Sequence, residues 1–249
     1  MKWPPKIERF RKYVLWECKD IPPDLILAII QNESGGQPGI AGRRGTKCGP
    51  LPSVNGGTRD VCQAYGLMQI HPHTVASWNE KGDEVAFIED MEGNDERAIR
   101  LQIRIGCWYL ARCVAGLHRW DSSAFPSISS INATEDQVRL ALIGYAVGLG
   151  AVLKKLKQLK AANRPLTYNE IVKTFPDWGK NKQGKWINRP LFYANKVFTK
   201  FRNHAGNAGG SSTQAPTLAQ RAKKAMEGGG WLLLPVLGLA AWKAYEQRK

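Results

Sequence analysis

Apolar residues recur at helical spacing along the first two hundred residues, whereas the alternation typical of strands is rare. In the stretch Lys6–Lys19 they fall at Ile7, Phe10, Val14 and Leu15, which share one face of a helix. Similar patterns predict helices over Leu25–Asn32, Glu96–Leu117, Glu135–Leu159, Gln158–Phe175 and Arg189–Phe201. About six helices without a strand indicate an all-α domain, which we place at residues 1–203.

The second of these helices has clear start and stop signals. It begins after Pro22-Pro23-Asp24, because proline and an acidic residue suit a first helical turn. It ends at Gly35-Gly36, where glycines suit a C-terminal cap. The residues Gly36–Cys62 that follow contain seven glycines and three prolines and predict a long loop. Long loops within compact domains are often binding loops.

Two further segments follow the predicted domain. Residues 204–217 are rich in glycine, alanine and serine and predict a flexible linker. Within residues 218–249 a basic helix precedes the uncharged run Gly228–Trp242, whose apolar part begins at Trp231. Tryptophan at both ends is typical of a membrane anchor, although the run is shorter than the ~20 residues that span a bilayer. We expect residues 218–249 to contact a membrane or a virion protein; the alternative is a segment buried against the domain.

Basic residues are concentrated in one part of the chain. The net charge is +15, and the stretch Gly150–Asn203 carries most of the excess. Such a field favours a polyanion, which can be nucleic acid, anionic lipid or the carboxylate-bearing cell wall. The basic aromatic stretch Trp178–Phe201 contains no recognisable base-reading module, so we do not expect sequence-specific binding of nucleic acid.

The cysteines and histidines do not predict a metal site. The five cysteines include no C-x-x-C pair, and their odd number argues against a zinc site or a full disulfide framework. Cys48 and Cys62 bracket the predicted loop, which allows a bridge between them if the chain meets an oxidising compartment; buried unpaired thiols are the other interpretation, and the one we favour. His71 and His73 are too few to define a metal site, and we expect no metal or other cofactor.

Glu33 is a candidate catalytic acid. Ile26, Ile29 and Ile30 precede it at helical spacing, so its carboxyl lies at the end of an apolar face. Burial beside aliphatic groups raises the pKa of a glutamate and keeps a proton available near neutral pH. A glutamate that only caps a helix or forms an ion pair has the same spacing, so this helix alone does not decide.

The segment Ala64–Pro72 (AYGLMQIHP) has a second set of candidate residues. Gly66 permits close backbone approach, Met68 offers an adaptable apolar wall, and Gln69 brings both a donor and an acceptor. This mixture suits a sugar with N-acetyl groups. It suits equally a loop that packs into a core.

Together, these two segments resemble the soluble lytic transglycosylase family, whose signatures are E-S-G and G-L-M-Q-I. The signatures stand in Ile29–Gly36 (IIQNESGG) and Ala64–Ile70 (AYGLMQI). Three weaker matches follow in the family's order, in Ile103–Leu110 (IRIGCWYL), Gly144–Gly148 (GYAVG) and Phe192–Val197 (FYANKV). The resemblance covers residues 20–203 approximately.

The resemblance implies a lysozyme-like domain with a cleft for the glycan strands of peptidoglycan. Glu33 would protonate the β-1,4 glycosidic oxygen between N-acetylmuramic acid and N-acetylglucosamine. It would then act as base on the muramic 6-hydroxyl, which leaves a 1,6-anhydro end. Ser34 would help to orient Glu33, and the cleft would be lined by Gly66, Leu67, Met68, Gln69, Tyr145 and Tyr193.

Two residues leave alternatives to this activity. The transglycosylase scheme requires one carboxylate, whereas ordinary glycosidases use two that flank the bond. Asp60 lies in the predicted loop and is the candidate second acid of a hydrolytic muramidase with the same fold. Ala146 replaces the asparagine of the family's A-Y-N-A-G segment. A site inactivated by this change would leave a non-catalytic, peptidoglycan-binding structural protein of a virion.

The N-terminal residues suggest a biological setting. Met1–Phe10 contains no apolar h-region, so we expect no secretory signal peptide. A cell's own periplasmic enzyme would normally carry one, whereas a bacteriophage virion protein is packaged in the cytoplasm and delivered from outside. The expected setting is a phage particle whose enzyme opens the host's periplasmic peptidoglycan during genome entry, with membrane association through the C-terminal segment.

Overall fold

A computed structural model describes residues 2–42, 48–80, 84–175, 179–180 and 186–205. Within these ranges the chain is mostly helical, as predicted. The helices are α1 (Pro5–Glu8), α2 (Arg11–Glu17), α3 (Pro23–Glu33), α4 (Pro72–Asn79), α5 (Ile88–Glu92), α6 (Glu96–Trp120), α7 (Glu135–Val147), α8 (Leu149–Ala161), α9 (Tyr168–Thr174) and α10 (Arg189–Ala205). The strands are β1 (Gly49–Pro52), β2 (Thr58–Val61), β3 (Gly179–Lys180) and β4 (Trp186–Ile187).

Helix α3 lies in the centre of the core. Pro23 occupies its first turn, where the missing N–H of proline costs no helical hydrogen bond. Six consecutive residues, Leu25–Ile30, are buried, so the helix is covered on every side rather than along one stripe. It packs against α1, α2 and α10. The packing of α3 in the core therefore fixes the position of Glu33, the last residue of the helix.

Helix α6 is the longest of the described helices and packs against α2, α5 and α7. Its start is capped by Asp95, whose carboxylate accepts a hydrogen bond from the N–H of Ala98 at 3.0 Å. At its C-terminal end the N–H of Asp121 donates to the carbonyl of Leu117. The buried face of α6 therefore forms a long wall against which the segment around Met68 can rest.

Three predicted helical stretches are each divided in the structure. Lys6–Lys19 forms α1 and α2, and Gln158–Phe175 covers the end of α8 and the separate α9. The stretch Glu135–Leu159 is broken at Gly148, which has a φ of +92°. Glycine adopts such a value without steric cost, so α7 ends there and α8 packs back against it.

The loop predicted over Gly36–Cys62 contains a hairpin. Strands β1 and β2 pair antiparallel, with Gly49 opposite Val61 and Pro52 opposite Thr58. Strands β3 and β4 also pair antiparallel, with Gly179 opposite Ile187. The prediction of a domain without strands is therefore wrong in this detail. Each strand has only two to four residues, too few for an alternating pattern to stand out.

Two disulfides cross-link the domain. A bridge joins Cys48 and Cys62 at the base of the first hairpin, so the interpretation of these two as unpaired thiols is wrong. A second bridge joins Cys18 to Cys107, 89 residues away, and Cys113 is free and buried. One cysteine is thus left unpaired, as the odd number requires, but the other four form two bridges, and the sequence had indicated the pairing of neither Cys18 nor Cys107. Cys18 follows α2 and Cys107 lies in α6, so only the packing of these two helices brings them together.

The domain continues slightly beyond the predicted boundary at residue 203. Helix α10 ends at Ala205, and the ring of His204 stacks on that of Trp3 with centroids 3.6 Å apart. Residues 204 and 205 therefore belong to the domain rather than to the linker. The remainder of the predicted linker and residues 218–249 lie outside the described residues. Among the described helices, none is long and apolar enough to cross a membrane.

Candidate active site

Glu33 is the last residue of α3, and burial raises its pKa to about 6. A carboxylate surrounded by protein loses hydration, so the protonated form is favoured. At pH 7 this pKa leaves roughly one carboxyl in ten protonated, about thirty times the fraction of an ordinary glutamate. The raised pKa agrees with the prediction made from the apolar helix face.

Two tyrosines from different helices face Glu33. The hydroxyl of Tyr193 in α10 interacts with the carboxylate and lowers the Glu33 pKa, which partly offsets the effect of burial. This hydroxyl is buried and forms no full hydrogen bond, so its contact with Glu33 is weaker than a well-aligned bond. Burial, and after it the charge of Glu33, raises the pKa of both Tyr193 and Tyr145 of α7.

Tyr145 connects α7 to the segment that contains the second motif. Its hydroxyl donates to the carbonyl oxygen of Met68 at 2.7 Å. The ring of Tyr109 from α6 lies beside it, with ring centroids 5.6 Å apart. Tyr145 is therefore held from two sides, and it fixes the backbone of Met68 relative to Glu33.

The second motif forms a tight turn whose shape depends on Gly66. The backbone N–H and C=O groups of Tyr65 and Ile70 exchange hydrogen bonds of 3.0 and 2.8 Å, which close the turn. Gly66 has a φ of +78°, and a Cβ at this position would collide with the side chain of Gln102. Glycine is required here for both reasons.

Gln69 serves this turn rather than an open cleft. Its side-chain amide donates to the carbonyl oxygens of Ile40 at 3.0 Å and Gly66 at 3.1 Å. Its own backbone has a φ of +49°, which is uncommon for a residue other than glycine. The amide N–H groups expected to bind sugar therefore tie the residues after α3 to the second motif.

Leu67 and Met68 are both completely buried. The sulfur of Met68 lies over Gly106 of α6, where a Cβ would collide with it. The expectation that these two side chains line the cleft is therefore wrong. Their side chains pack the core beneath the turn, and Met68 faces Tyr145 through its carbonyl oxygen only.

Ser34 fixes the backbone that follows Glu33. Its hydroxyl donates to the carbonyl oxygen of Ile30 and accepts from the N–H of Gly36, both at 3.1 Å. The carbonyl of Ile30 also accepts from the backbone N–H of Ser34 at 3.1 Å, so the hydroxyl adds a second bond at this helix end and ties Gly36 to it. Ser34 therefore holds the main chain directly after Glu33 and makes no contact of its own with the Glu33 carboxyl among these bonds.

Gln102 of α6 is a residue of this site that the sequence reasoning missed. It is completely buried, and its side-chain oxygen accepts from the N–H of Leu67 at 3.0 Å. Its amide group donates to the carbonyls of Asp90 at 3.0 Å and Gly93 at 2.9 Å. A single amide inside an apolar helix face was the available signal, because such a group requires buried partners.

Asp60 and Ala146, on which the hydrolytic and the non-catalytic alternatives depend, are both exposed. Asp60 lies on β2 and Ala146 near the end of α7. Within the described part of the chain, no second carboxylate contributes to the pKa of Glu33. A flanking carboxylate at the spacing of ordinary glycosidases would be expected to raise that pKa by like-charge repulsion. The geometry favours chemistry with one carboxyl group.

The histidines of the second motif do not form a metal centre. His71 and His73 stack on each other with ring centroids 5.3 Å apart. Over the described ranges, no three histidine, cysteine, aspartate or glutamate side chains are grouped so that they could hold an ion.

The comparison with known families settles the relationship. The family model of the transglycosylase SLT domain matches residues 16–168, more than half of the chain. The chain belongs to this family. Membership implies lytic transglycosylase activity, with peptidoglycan as the substrate. A comparison with curated proteins found no match.

The matched part of the SLT domain supplies most of the site but not all of it. Glu33, the turn around Gly66 and Tyr145 lie within residues 16–168. Tyr193 belongs to α10, which follows the matched residues in the chain. Helix α1, which precedes them, packs against α3. The site around Glu33 is therefore completed by segments at both ends of the described domain.

Proposed function

We propose that this SLT domain cleaves the β-1,4 bond between N-acetylmuramic acid and N-acetylglucosamine with Glu33 as its only acid and base. The observation that carries the proposal is a buried carboxyl with a pKa of about 6 that faces Tyr145 and Tyr193. Because no carboxylate in the described residues acts on Glu33, the same group serves both halves of the reaction.

In the first half, protonated Glu33 gives its proton to the glycosidic oxygen. The bond from that oxygen to C1 of the muramic residue breaks, and N-acetylglucosamine leaves with a free 4-hydroxyl. Positive charge develops at C1, where the substrate's own acetamido oxygen can stabilise it. Glu33 is left as a carboxylate, and the fraction of enzyme able to begin is set by its pKa.

In the second half, the Glu33 carboxylate takes the proton of the muramic 6-hydroxyl. The 6-oxygen then bonds to C1, which closes the 1,6-anhydro ring and restores the protonated acid without consuming water. Tyr193 suits this alternation, because its hydroxyl favours the carboxylate form while burial favours the acid form. The two opposing influences hold the pKa between those of an ordinary and a fully desolvated glutamate.

The product identifies the reaction. Purified sacculi would be digested with the wild type, with Glu33→Gln and with Glu80→Gln, a control at an exposed glutamate, and the fragments read by mass spectrometry. We expect fragments one water lighter than hydrolysis products from the wild type and the control, and none from Glu33→Gln. Reducing ends would identify a muramidase and direct attention to Asp60. A folded wild type that binds sacculi without releasing fragments would be a wall-binding structural protein.

We also propose the setting in which the enzyme acts: a phage particle that opens host periplasmic peptidoglycan during genome entry, with residues 218–249 contacting a membrane or a virion protein. The two disulfides support a site of action outside the cytoplasm, because such bonds persist in oxidising compartments. An antibody against the domain would be applied to purified virions and to fractions of producing cells. Its signal in cell envelopes alone, and not in particles, would contradict the setting.

A further inference from the structure

The N-terminal helix α1 lies directly against the turn that follows Glu33, although it precedes the residues matched by the family model. A Cβ on Gly36 would stand 2.8 Å from the carbonyl oxygen of Lys6 and 3.0 Å from the end of the Ile7 side chain. Only a glycine lets the two backbones approach so closely. The contact between α1 and this turn is therefore a main-chain contact, which leaves little room for either to shift.

Arg9 makes the polar bond across this contact. Its guanidinium donates to the carbonyl oxygen of Gly36 at 2.9 Å. Gly35 and Gly36 have φ values of +61° and +84°, so the chain here has left the helix and forms no regular element. Ser34 holds the start of the turn and Arg9 holds its end. A charged donor makes the stronger kind of hydrogen bond to a carbonyl.

We propose that Arg9 is a positioning residue for Glu33: it fixes the turn Ser34–Gly36 and thereby the depth at which the Glu33 carboxyl is buried. It acts through the backbone and does not itself touch the substrate. The proposal rests on the proposed function only in taking Glu33 as the catalytic acid. The effect of Arg9 on the burial of the Glu33 carboxyl does not depend on the reaction that the enzyme catalyses.

Arg11 offers a matched control on the same N-terminal segment. It forms ion pairs with Glu8 and with Asp24, the latter at 2.7 Å. Asp24 lies in the first turn of α3, at the opposite end of the helix from Glu33. Both arginines therefore anchor the N-terminal segment to the region of α3, but only Arg9 does so at the catalytic end.

Loosening the turn has a defined consequence for the carboxyl. Glu33 owes its raised pKa to burial, and the groups that face it are the hydroxyls of Tyr193 from α10 and Tyr145 from α7. In the described residues no cation contributes to its pKa, so loss of the Arg9 charge does not act directly. Entry of water would hydrate the carboxylate and lower the pKa.

The test is a direct titration of the Glu33 carboxyl by NMR in protein labelled with carbon-13 at glutamate side chains. The Glu33 signal is assigned from its absence in Glu33→Gln. We expect Arg9→Gln to lower the Glu33 pKa towards that of an ordinary glutamate, Arg9→Lys to restore part of the shift, and Arg11→Gln to leave it unchanged. On sacculi, kcat should fall roughly 10- to 100-fold in Arg9→Gln, with a smaller change in KM.

Equal pKa values of Glu33 in the wild type and in Arg9→Gln would overturn the proposal, as would equal shifts in Arg9→Gln and Arg11→Gln. If Arg9→Gln does not fold, Arg9→Lys decides: a partial shift supports the positioning role, and a wild-type pKa leaves Arg9 a purely structural part. The titration needs no substrate. A wild type that releases no fragments would therefore remove the proposed function without affecting this result.

Discussion

The burial of Glu33, the proposed catalytic acid, links its protonation to the stability of the fold. Its folded pKa of about 6 lies above the ordinary value of 4.5, so the folded state binds the proton more tightly than the unfolded state. This contribution to stability is complete below pH 4.5 and is lost as the pH rises through 6. A difference of about 1.5 pKa units corresponds to about 2 kcal/mol.

Glu33→Gln should therefore be inactive and also more stable than the wild type at pH 8, by up to about 2 kcal/mol in the free energy of unfolding. At pH 4 the two proteins should differ little, because Glu33 is then neutral in both states. Urea unfolding at the two pH values measures both differences, with Glu80→Gln as the exposed control. A gain of the same size at both pH values would show that the carboxylate is not strained by its burial.

Tyr193→Phe and Arg9→Gln should shift the pH dependence of activity in opposite directions. The Tyr193 hydroxyl lowers the pKa of Glu33, so its removal raises that pKa and shifts the alkaline limb of kcat/KM upwards. The maximal rate should fall only about two- to threefold, because a contact that is not a full hydrogen bond contributes about 0.5 kcal/mol, the low end of the usual range.

The stability of Tyr193→Phe should change little, since this hydroxyl forms no full hydrogen bond. Tyr168→Phe is the matched control, because the Tyr168 hydroxyl donates to the carbonyl of Leu191 at 2.9 Å, also in the buried region. It should lose stability and keep the pH profile of the wild type. An unchanged alkaline limb in Tyr193→Phe would mean that the hydroxyl does not act on Glu33.

Single residues differ in how far the sequence could reveal their roles. The burial of Glu33 could be predicted from its apolar helix face, but that face did not separate a catalytic acid from a helix cap, and only the two motifs together favoured the acid. The roles of Met68 and Gln69 could not be predicted, because a motif names residues without giving the direction of their side chains. Met68 points at Gly106, and Gln69 at the carbonyl of Ile40. Both partners are distant in sequence, so only the folded chain shows the contacts.

The elements were predicted where a long apolar period made them clear. Helices α3 and α6 bury many residues at regular spacing and were found. The hairpin of β1 and β2 was missed because its four-residue strands contain two prolines and mostly exposed side chains. The bridge from Cys18 to Cys107 was missed because two cysteines 89 residues apart have no local signature.

The disulfide at the base of the hairpin should control a local part of the site. Polar pairs hold the hairpin to α5, namely Ser53 with Glu89 at 2.6 Å and Arg59 with Glu92 at 3.3 Å. Exposed pairs of this kind contribute little. A bridge that closes a loop of this size is worth about 3 kcal/mol. Leu51 and Val61 anchor the hairpin in the core, and β1 packs against α4. Without the bridge we therefore expect the ends of residues 48–62 to loosen and to disturb the turn around Gly66 that follows.

Replacement of Cys48 and Cys62 by serine should therefore lower hydrogen-exchange protection in the hairpin and reduce activity, while α6 stays protected. Replacement of Cys18 and Cys107 is the contrasting experiment, because that bridge joins two core helices and should lower protection throughout. Cys113 should not interfere in either variant: burial raises its pKa to about 12 and keeps it a neutral thiol. Identical exchange patterns in the two variants would show that neither bridge acts locally.

At the scale of the whole molecule, the site depends on segments far apart in the chain. The family model ends at residue 168, yet Tyr193 of α10 faces Glu33 and α1 supports the turn after it. All of these groups lie within residues 2–205. A chain that ends at Ala205 should therefore unfold at the temperature of the full chain and cleave soluble glycan fragments at the same rate.

The same truncation separates two modes of surface attachment. Most of the net charge of +15 lies before residue 206, so the truncated chain should bind vesicles that contain phosphatidylglycerol at low salt and leave them at high salt, where charge is screened. The full chain should stay bound at high salt, because burial of an apolar segment in lipid is not screened. The full chain with Trp231→Ser and Trp242→Ser should leave the vesicles at high salt, as the truncated chain does. Release of the intact full chain by salt would exclude a lipid anchor. A truncated form of lower stability would instead indicate that residues 218–249 are buried against the domain.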